Sequence, residues 1–150
     1  MASYQNVVVG TDGSESSFRA VDRAAAVAKD TGAKLYLVSA FRPVSERDRE
    51  RAAAEIGSVA FRVEATDLAD EALRGASDRA ILAGATDVEK LALAGDPVDV
   101  LLDAISTTHA DLLVVGNRGL NSLSGRILGS VPQSVAHKAA CDVLIVHTTD

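Results

Sequence analysis

LLVVGNRG, residues 112–119, followed after nine residues by Gly129-Ser130-Val131, joins three features in one stretch. Leu112 to Val115 is a continuous apolar run of the kind that forms a strand buried on both faces. Gly116-Asn117-Arg118-Gly119 breaks it, and Ser130 opens a helix-like stretch to about Ala139. A buried strand, a glycine loop and a helix start suit phosphate. Glycines let backbone N–H groups come close to an anion, and a helix N-terminus adds unpaired donors and a positive partial charge. Read alone, the stretch is either a cradle or a flexible connector with glycines at positive φ. As a cradle it would use the N–H groups of Gly119, Gly129, Ser130 and Val131 and the Ser130 hydroxyl. It is not a P-loop, and it is not the Gly-x-Gly-x-x-Gly dinucleotide fingerprint.

Four more short apolar runs alternate with helical patterns along the chain. Asn6 to Gly10 (NVVVG) reads as a buried strand ending in the turn Thr11-Asp12-Gly13-Ser14. Ser14 or Ser16 can cap a helix to about Asp30, in which Ala20, Val21, Ala24, Ala25 and Ala28 fall at helical spacing. Thr31-Gly32 stops it. Lys34 to Ala40 is the second strand. A helix from about Asp67 to Ala83 ends at Gly84, and Val88 to Ala94 is the third strand. Pro97 sits at a favourable first-turn position of a helix running to about His109. Asp111 to Gly116 is the fourth strand and Asp142 to His147 the fifth. Arg42 to Thr66 has the weakest pattern, and its densely charged part, Ser45 to Arg51, reads as a solvated loop or a short exposed helix. Strands alternating with helices imply one parallel sheet with right-handed crossovers, in a single domain over residues 1–150.

Composition agrees. The chain has 150 residues, 47% of them hydrophobic and 3% aromatic, without tryptophan, so its core is built from Val, Leu, Ile and Ala. The net charge of −6 argues against nucleic acid and acidic membranes as partners, but leaves room for a local anion site made of backbone amides. One cysteine, Cys141, offers no intrachain disulfide or zinc pattern and fits a reducing cytoplasm. The N-terminus carries no basic segment before an apolar run, and no stretch approaches the roughly 20 apolar residues that span a bilayer.

Gly10-Thr11-Asp12-Gly13-Ser14 is the second chemical motif. Asp12 can accept from a ribose or help hold a metal on a phosphate; it is also a turn and cap residue, and turn chemistry favours that reading when the motif stands alone. The two loops gain from each other. In open parallel sheets, ligands sit outside the C-terminal strand ends where the strand order reverses. A 3-2-1-4-5 order puts strands one and four side by side at such a point, with Ser39-Ala40-Phe41 as the other wall. Gly95-Asp96-Pro97 reads mainly as a tight turn and helix start. His109, His137 and His147 lack metal-ligand spacing and link to no nucleophile motif, and Cys141 reads as a small packed or partly exposed residue. No residue pair marks a general acid and base.

Together these segments resemble the universal stress protein family over nearly the whole chain. The resemblance rests on the NVVVGTDGS start, Gly95-Asp96-Pro97, LLVVGNRG, Leu128-Gly129-Ser130-Val131 and the final CDVLIVH. The family's nucleotide signature, Gly-x2-Gly-x9-Gly-Ser/Thr, is met by Gly116, Gly119, Gly129 and Ser130. The resemblance implies a five-stranded α/β fold, Rossmann-like and similar to the adenine nucleotide alpha-hydrolases. Its strand order would be 3-2-1-4-5, with helices on both faces. It also implies a homodimer paired through Val143–Val146, and an adenine nucleotide ligand: ATP, AMP or cyclic AMP, with magnesium accompanying ATP. Its site would comprise Gly10, Thr11, Asp12, Ala40, Gly116, Asn117, Arg118, Gly119, Gly129, Ser130, Val131 and Pro132. Asp12 would meet ribose or, indirectly, the metal. Backbone groups of Ala40 would read adenine, and Gly116 would sit against ribose. Gly119, Gly129, Ser130 and Val131 would hold phosphate.

One departure matters. Position 132 is proline where the family often has Ser or Thr, which removes a hydroxyl and a backbone N–H. Grip on the outer phosphates should weaken, so that nucleotides with one phosphate compete well with ATP. The expected role is a cytoplasmic stress-response sensor, carrier or regulator, with at most slow ATP hydrolysis. The rivals are a metal-dependent ATPase or adenylating enzyme, and an interaction module with an empty site.

Overall fold

Three consecutive β-branched valines make β1, Asn6–Gly10, the middle of a parallel sheet. The structure, a computed structural model, describes residues 3–42, 58–118 and 129–148. After β1 come α1 (Glu15–Thr31), β2 (Lys34–Phe41), α2 (Ser58–Leu82) and β3 (Val88–Ala94). They are followed by α3 (Pro97–Thr108), β4 (Leu112–Gly116), α4 (Ser130–Lys138) and β5 (Asp142–Val146). The strands lie in the order β3-β2-β1-β4-β5, all parallel, as the sequence predicts. The register aligns Val9 with Leu37 on one side and with Val114 on the other.

Alternation along the strands splits the core into two layers. Val7, Val9, Leu35, Leu37, Leu112 and Val114 face α1 and α2, against Ala20, Ala24, Leu73 and Ala76. Val8, Val38, Leu113 and Val115 face α3 and α4, against Leu101, Ala104, Ile105 and Val135. Small alanines on α1 let its backbone lie close to the sheet, which is how a core nearly free of aromatics is filled. On the outer side, Arg79 of α2 clamps α1, with Nη2 at 2.5 Å from Asp22 Oδ2 and Nη1 at 3.0 Å from Glu15 Oε1. Its guanidinium also lies 5.6 Å from the centre of the Phe18 ring. The hydrogen bonds to Asp22 and Glu15 push the Arg79 pKa further up, so it remains a cation.

The element ends differ from the sequence reading in instructive ways. α2 starts at Ser58, not near Asp67. No glycine or proline interrupts the chain from Ser58 to Arg74, and the charged stretch before it hid that continuity. β4 starts at Leu112 because the Asp111 carboxylate is occupied in capping the start of β1: it accepts the N–H groups of Gln5 and Asn6 at 3.0 Å. β2 runs one residue further, to Phe41, which pairs with Ala94. The Ser45–Arg51 stretch lies outside the described residues. Among the described residues no helix is long and apolar enough to cross a membrane.

Candidate functional site

The C-terminal ends of β1 and β4 are neighbours, and the loops after them leave the sheet for opposite faces: α1 packs on one and α4 on the other. A crevice at this reversal of strand order is where an α/β sheet takes its ligands. Beyond β1 the chain stays attached to β2, since Thr11 N–H donates to the Val38 carbonyl at 2.9 Å. Thr11 is buried, with its hydroxyl 2.7 Å from Ser17 Oγ and accepting the Gly13 N–H at 3.1 Å. Ser17 Oγ donates to the Ser14 carbonyl, so Thr11 must be the donor to Ser17. Both functions of the Thr11 hydroxyl are therefore used in holding the turn.

Asp12 is exposed, and its Oδ1 accepts the Ser14 N–H at 2.9 Å, an Asx turn. Gly13 follows with φ at 87°, a left-handed value that glycine adopts without strain. Ser14 caps α1 by accepting from Ser17 N–H at 3.1 Å. The turn-and-cap reading of this motif is thus realised. It holds Asp12 by one carboxylate oxygen, on an exposed turn at the C-terminal end of β1.

Gly129 is the N-cap residue of α4, with Ser130, Val131 and Pro132 as its first three residues. The Gly129 N–H donates to the Asn117 carbonyl at 2.9 Å, so it is spent within the loop. The first intrahelical bond runs from Gln133 N–H to the Gly129 carbonyl. Between them only Ser130 and Val131 have N–H groups, and neither has an acceptor among the described residues. Pro132 has none to offer. Its ring is fully buried, which explains why proline suits this position: it replaces a helix donor that has no partner and packs apolar surface instead. Gly119 lies outside the described residues.

Asn117 is the fastening of the loop to the sheet. Its N–H donates to the Val146 carbonyl at 2.9 Å, and its side-chain oxygen accepts from Thr148 N–H at 2.8 Å and Thr148 Oγ1 at 3.0 Å. Thr148 Oγ1 also lies 2.8 Å from Ser16 Oγ in the first turn of α1, and Arg19 Nη1 donates to the Thr148 carbonyl at 2.9 Å. A Cβ on Gly116 would stand 3.1 Å from Thr148 Cγ2, so the absence of a side chain here lets the tail approach closely. Ala40, half-buried, pairs with Leu93 near the end of β2, and Arg118 is half-exposed beside the loop.

The structure therefore brings Gly10, Thr11, Asp12, Gly116, Asn117, Gly129, Ser130 and Val131 to one end of the sheet, on adjacent strands and the helices that follow them. Sequence reading missed Thr148 and gave Ser16 only a capping role. Neither belongs to a motif, and nothing in the local pattern signals a contact between residues so far apart. Gly95-Asp96-Pro97 is the turn and cap expected: Asp96 Oδ2 accepts Val98 N–H at 3.2 Å. The three histidines are exposed, His109 as the left-handed C-cap of α3 with φ at 55°. Cys141 is held as a thiol, its pKa raised first by burial and then by Asp142. Among the described residues no group of three acidic, histidine or cysteine side chains could hold a metal ion.

Comparison with known proteins agrees with this architecture. The sequence pattern of the universal stress protein family matches residues 3–147. The chain is 49% identical to the universal stress protein Rv1636 of Mycobacterium tuberculosis, over 99% of this chain and 100% of that one. A crystal structure of a universal stress protein in complex with cAMP is 45% identical, with a TM-score of 0.74 over 99% of this chain and 100% of that chain. The universal stress protein UspA of Lactobacillus plantarum, 22% identical, shares the fold with a TM-score of 0.82 over 97% of this chain and 99% of that chain.

Proposed function

Because this chain belongs to the universal stress protein family, we propose that it binds an adenine nucleotide between the β1 and β4 loops and favours ligands with one phosphate, cyclic AMP or AMP. One observation carries the reading. α4 opens with two backbone donors and one hydroxyl, from Ser130 and Val131, and then closes with the buried ring of Pro132. Two N–H groups and a hydroxyl at the positive end of a helix suit a single phosphate. Among the described residues the start of α4 offers this one set of donors, which fits one phosphate better than three. The cAMP found in a structure 45% identical to this chain supports the choice.

In this reading Asp12 accepts from the ribose hydroxyls, and Ala40 lies beside the base. A magnesium ion arriving with ATP meets one protein carboxylate, Asp12, which fits an ion held mainly by phosphate and water. The role is that of a sensor, carrier or regulator in the stress response. We place the protein in a reducing cytoplasm, which a chain with a single cysteine fits. Among the described residues β5 pairs only with β4, and Val143, Leu144 and Ile145 are partly exposed, so the homodimer would form by pairing two β5 edges.

Calorimetric titration with cyclic AMP, AMP, ADP and ATP tests the ligand. The expected order puts cyclic AMP or AMP at least level with ATP; strongly ATP-selective binding would sink the reading. Sedimentation of the purified protein tests the dimer.

A further inference from the structure

Thr148 has every polar atom engaged and is 3% exposed, although it lies two residues beyond the end of β5. The direction of its bonds follows from elementary chemistry. The side-chain oxygen of Asn117 only accepts, so the Thr148 hydroxyl proton goes to it. That hydroxyl then has no proton left for Ser16, and Ser16 must donate to Thr148. The result is an ordered relay from Ser16 on α1, through Thr148, to Asn117 at the base of the glycine loop. Asn117 in turn accepts the N–H of Gly129 with its carbonyl, which fixes the start of α4.

We propose that Thr148, backed by Ser16, is a positioning residue for the nucleotide site. Its hydroxyl buckles the tail after β5 across the crevice, and so sets the spacing between the α1 turn and the start of α4. This rests on the nucleotide reading above. The two walls of the crevice belong to loops on opposite faces of the sheet, and the sheet itself controls only where those loops begin. The buckle controls them beyond that point. The close fit of Thr148 against Gly116 belongs to the same device, because a side chain at 116 would crowd Thr148.

The test uses Thr148→Val, which keeps the shape and removes the hydroxyl, and Thr148→Ser, which keeps the hydroxyl. Two readouts apply: affinity for cyclic AMP and AMP, and hydrogen exchange at the Gly129 amide in nucleotide-free protein. Thr148→Val should weaken both nucleotides about tenfold and speed exchange at Gly129 by a similar factor, as expected when a buried hydroxyl relay is broken. Thr148→Ser should stay within about twofold of the unaltered protein on both counts, since the relay is intact. Ser16→Ala, which removes only the outer donor, should give a smaller loss of the same kind and covers the case in which the valine variant does not fold. Unchanged affinity and exchange in Thr148→Val would overturn the proposal. So would equal losses in the serine and valine variants, which would assign the effect to methyl packing. If the unaltered protein binds no adenine nucleotide, the nucleotide reading fails, and the Gly129 exchange rates alone decide the buckle.

Discussion

The amide of Gly129 donates to the carbonyl of Asn117 at 2.9 Å, so the two ends of the glycine loop meet beside the end of β4. That bond makes Ser130, the next residue, the first to present both an N–H and a hydroxyl to a ligand. Ser130→Ala should weaken binding of a phosphate-bearing nucleotide by about tenfold, the worth of one hydrogen bond to a charged group at its lower end. Ser130 is exposed, so the melting temperature without ligand should hardly move. Calorimetry and thermal melting together separate the two effects.

Pro132 offers the opposite trade. Pro132→Ser returns an N–H and a hydroxyl to the first turn of α4 and removes a fully buried ring. The free protein should lose about 1–2 kcal/mol, or about 3–6 °C in Tm for a domain of this size. Affinity for ATP relative to AMP should rise several-fold. Parallel titrations on both proteins measure the ratio, and a ratio that stays constant would remove Pro132 from the account of phosphate number.

Gly116 and Thr148 should behave as a coupled pair. Gly116 has an ordinary φ, so alanine there is opposed by contact with Thr148 and not by backbone strain. Gly116→Ala should cost about 1–2 kcal/mol from crowding. Adding Thr148→Ser removes the Cγ2 that the new Cβ meets at 3.1 Å and should recover at least half of the loss. Urea denaturation of the two single variants and the double variant closes the cycle.

Arg79 should matter more than a surface charge ordinarily does. It bonds two carboxylates of α1 and stacks on Phe18, and its side chain is 31% exposed. Arg79→Met should cost about 1–2 kcal/mol, adding a partly screened ion pair to a cation–π contact. Arg79→Lys should recover little, because an ammonium cannot fork between Asp22 and Glu15. The difference should narrow in 1 M salt, which thermal melts at two ionic strengths would reveal.

Tyr4 supplies a pH dependence. Its hydroxyl donates to Asp142 Oδ2 at 2.8 Å, and this bond raises its pKa above 10.0. A raised acid pKa means that the fold favours the protonated phenol. The contribution is fully present below the unfolded value and is lost as pH rises through the folded one. Tyr4→Phe should therefore be less stable than the unaltered protein at pH 8, and the gap should be smaller at a strongly alkaline pH, once the phenol ionises in the folded protein. Urea midpoints at the two pH values check the sign.

The sheet order was legible because each strand is a short apolar run, three of them closed by glycine at Gly10, Gly95 and Gly116, and helical spacing fills the gaps between them. The start of α2 was not, because mixed charge in the preceding stretch masks a continuous helix. At the site, Asp12, Asn117, Gly129 and Ser130 were found by motif. Their division of labour was not. Whether Gly129 gives its N–H to a ligand or to Asn117 depends on the path of the loop. That Thr11 is consumed by its own turn depends on Ser17, six residues further on in α1. Thr148 carried no signal, since its partners lie 31 and 132 residues distant.

The contact of Ser16 with Thr148 spans 132 positions of the chain, and that of Asn6 with Asp111 spans 105. Such closures tie together segments that are far apart in the chain, at a loop-entropy cost that grows only slowly with their separation. The crevice therefore keeps its shape only while segments from both ends of the chain are docked against it. A ligand bound there stabilises only the finished molecule. Under the proposed function, a nucleotide held there would double as a readout of the protein's own structural integrity.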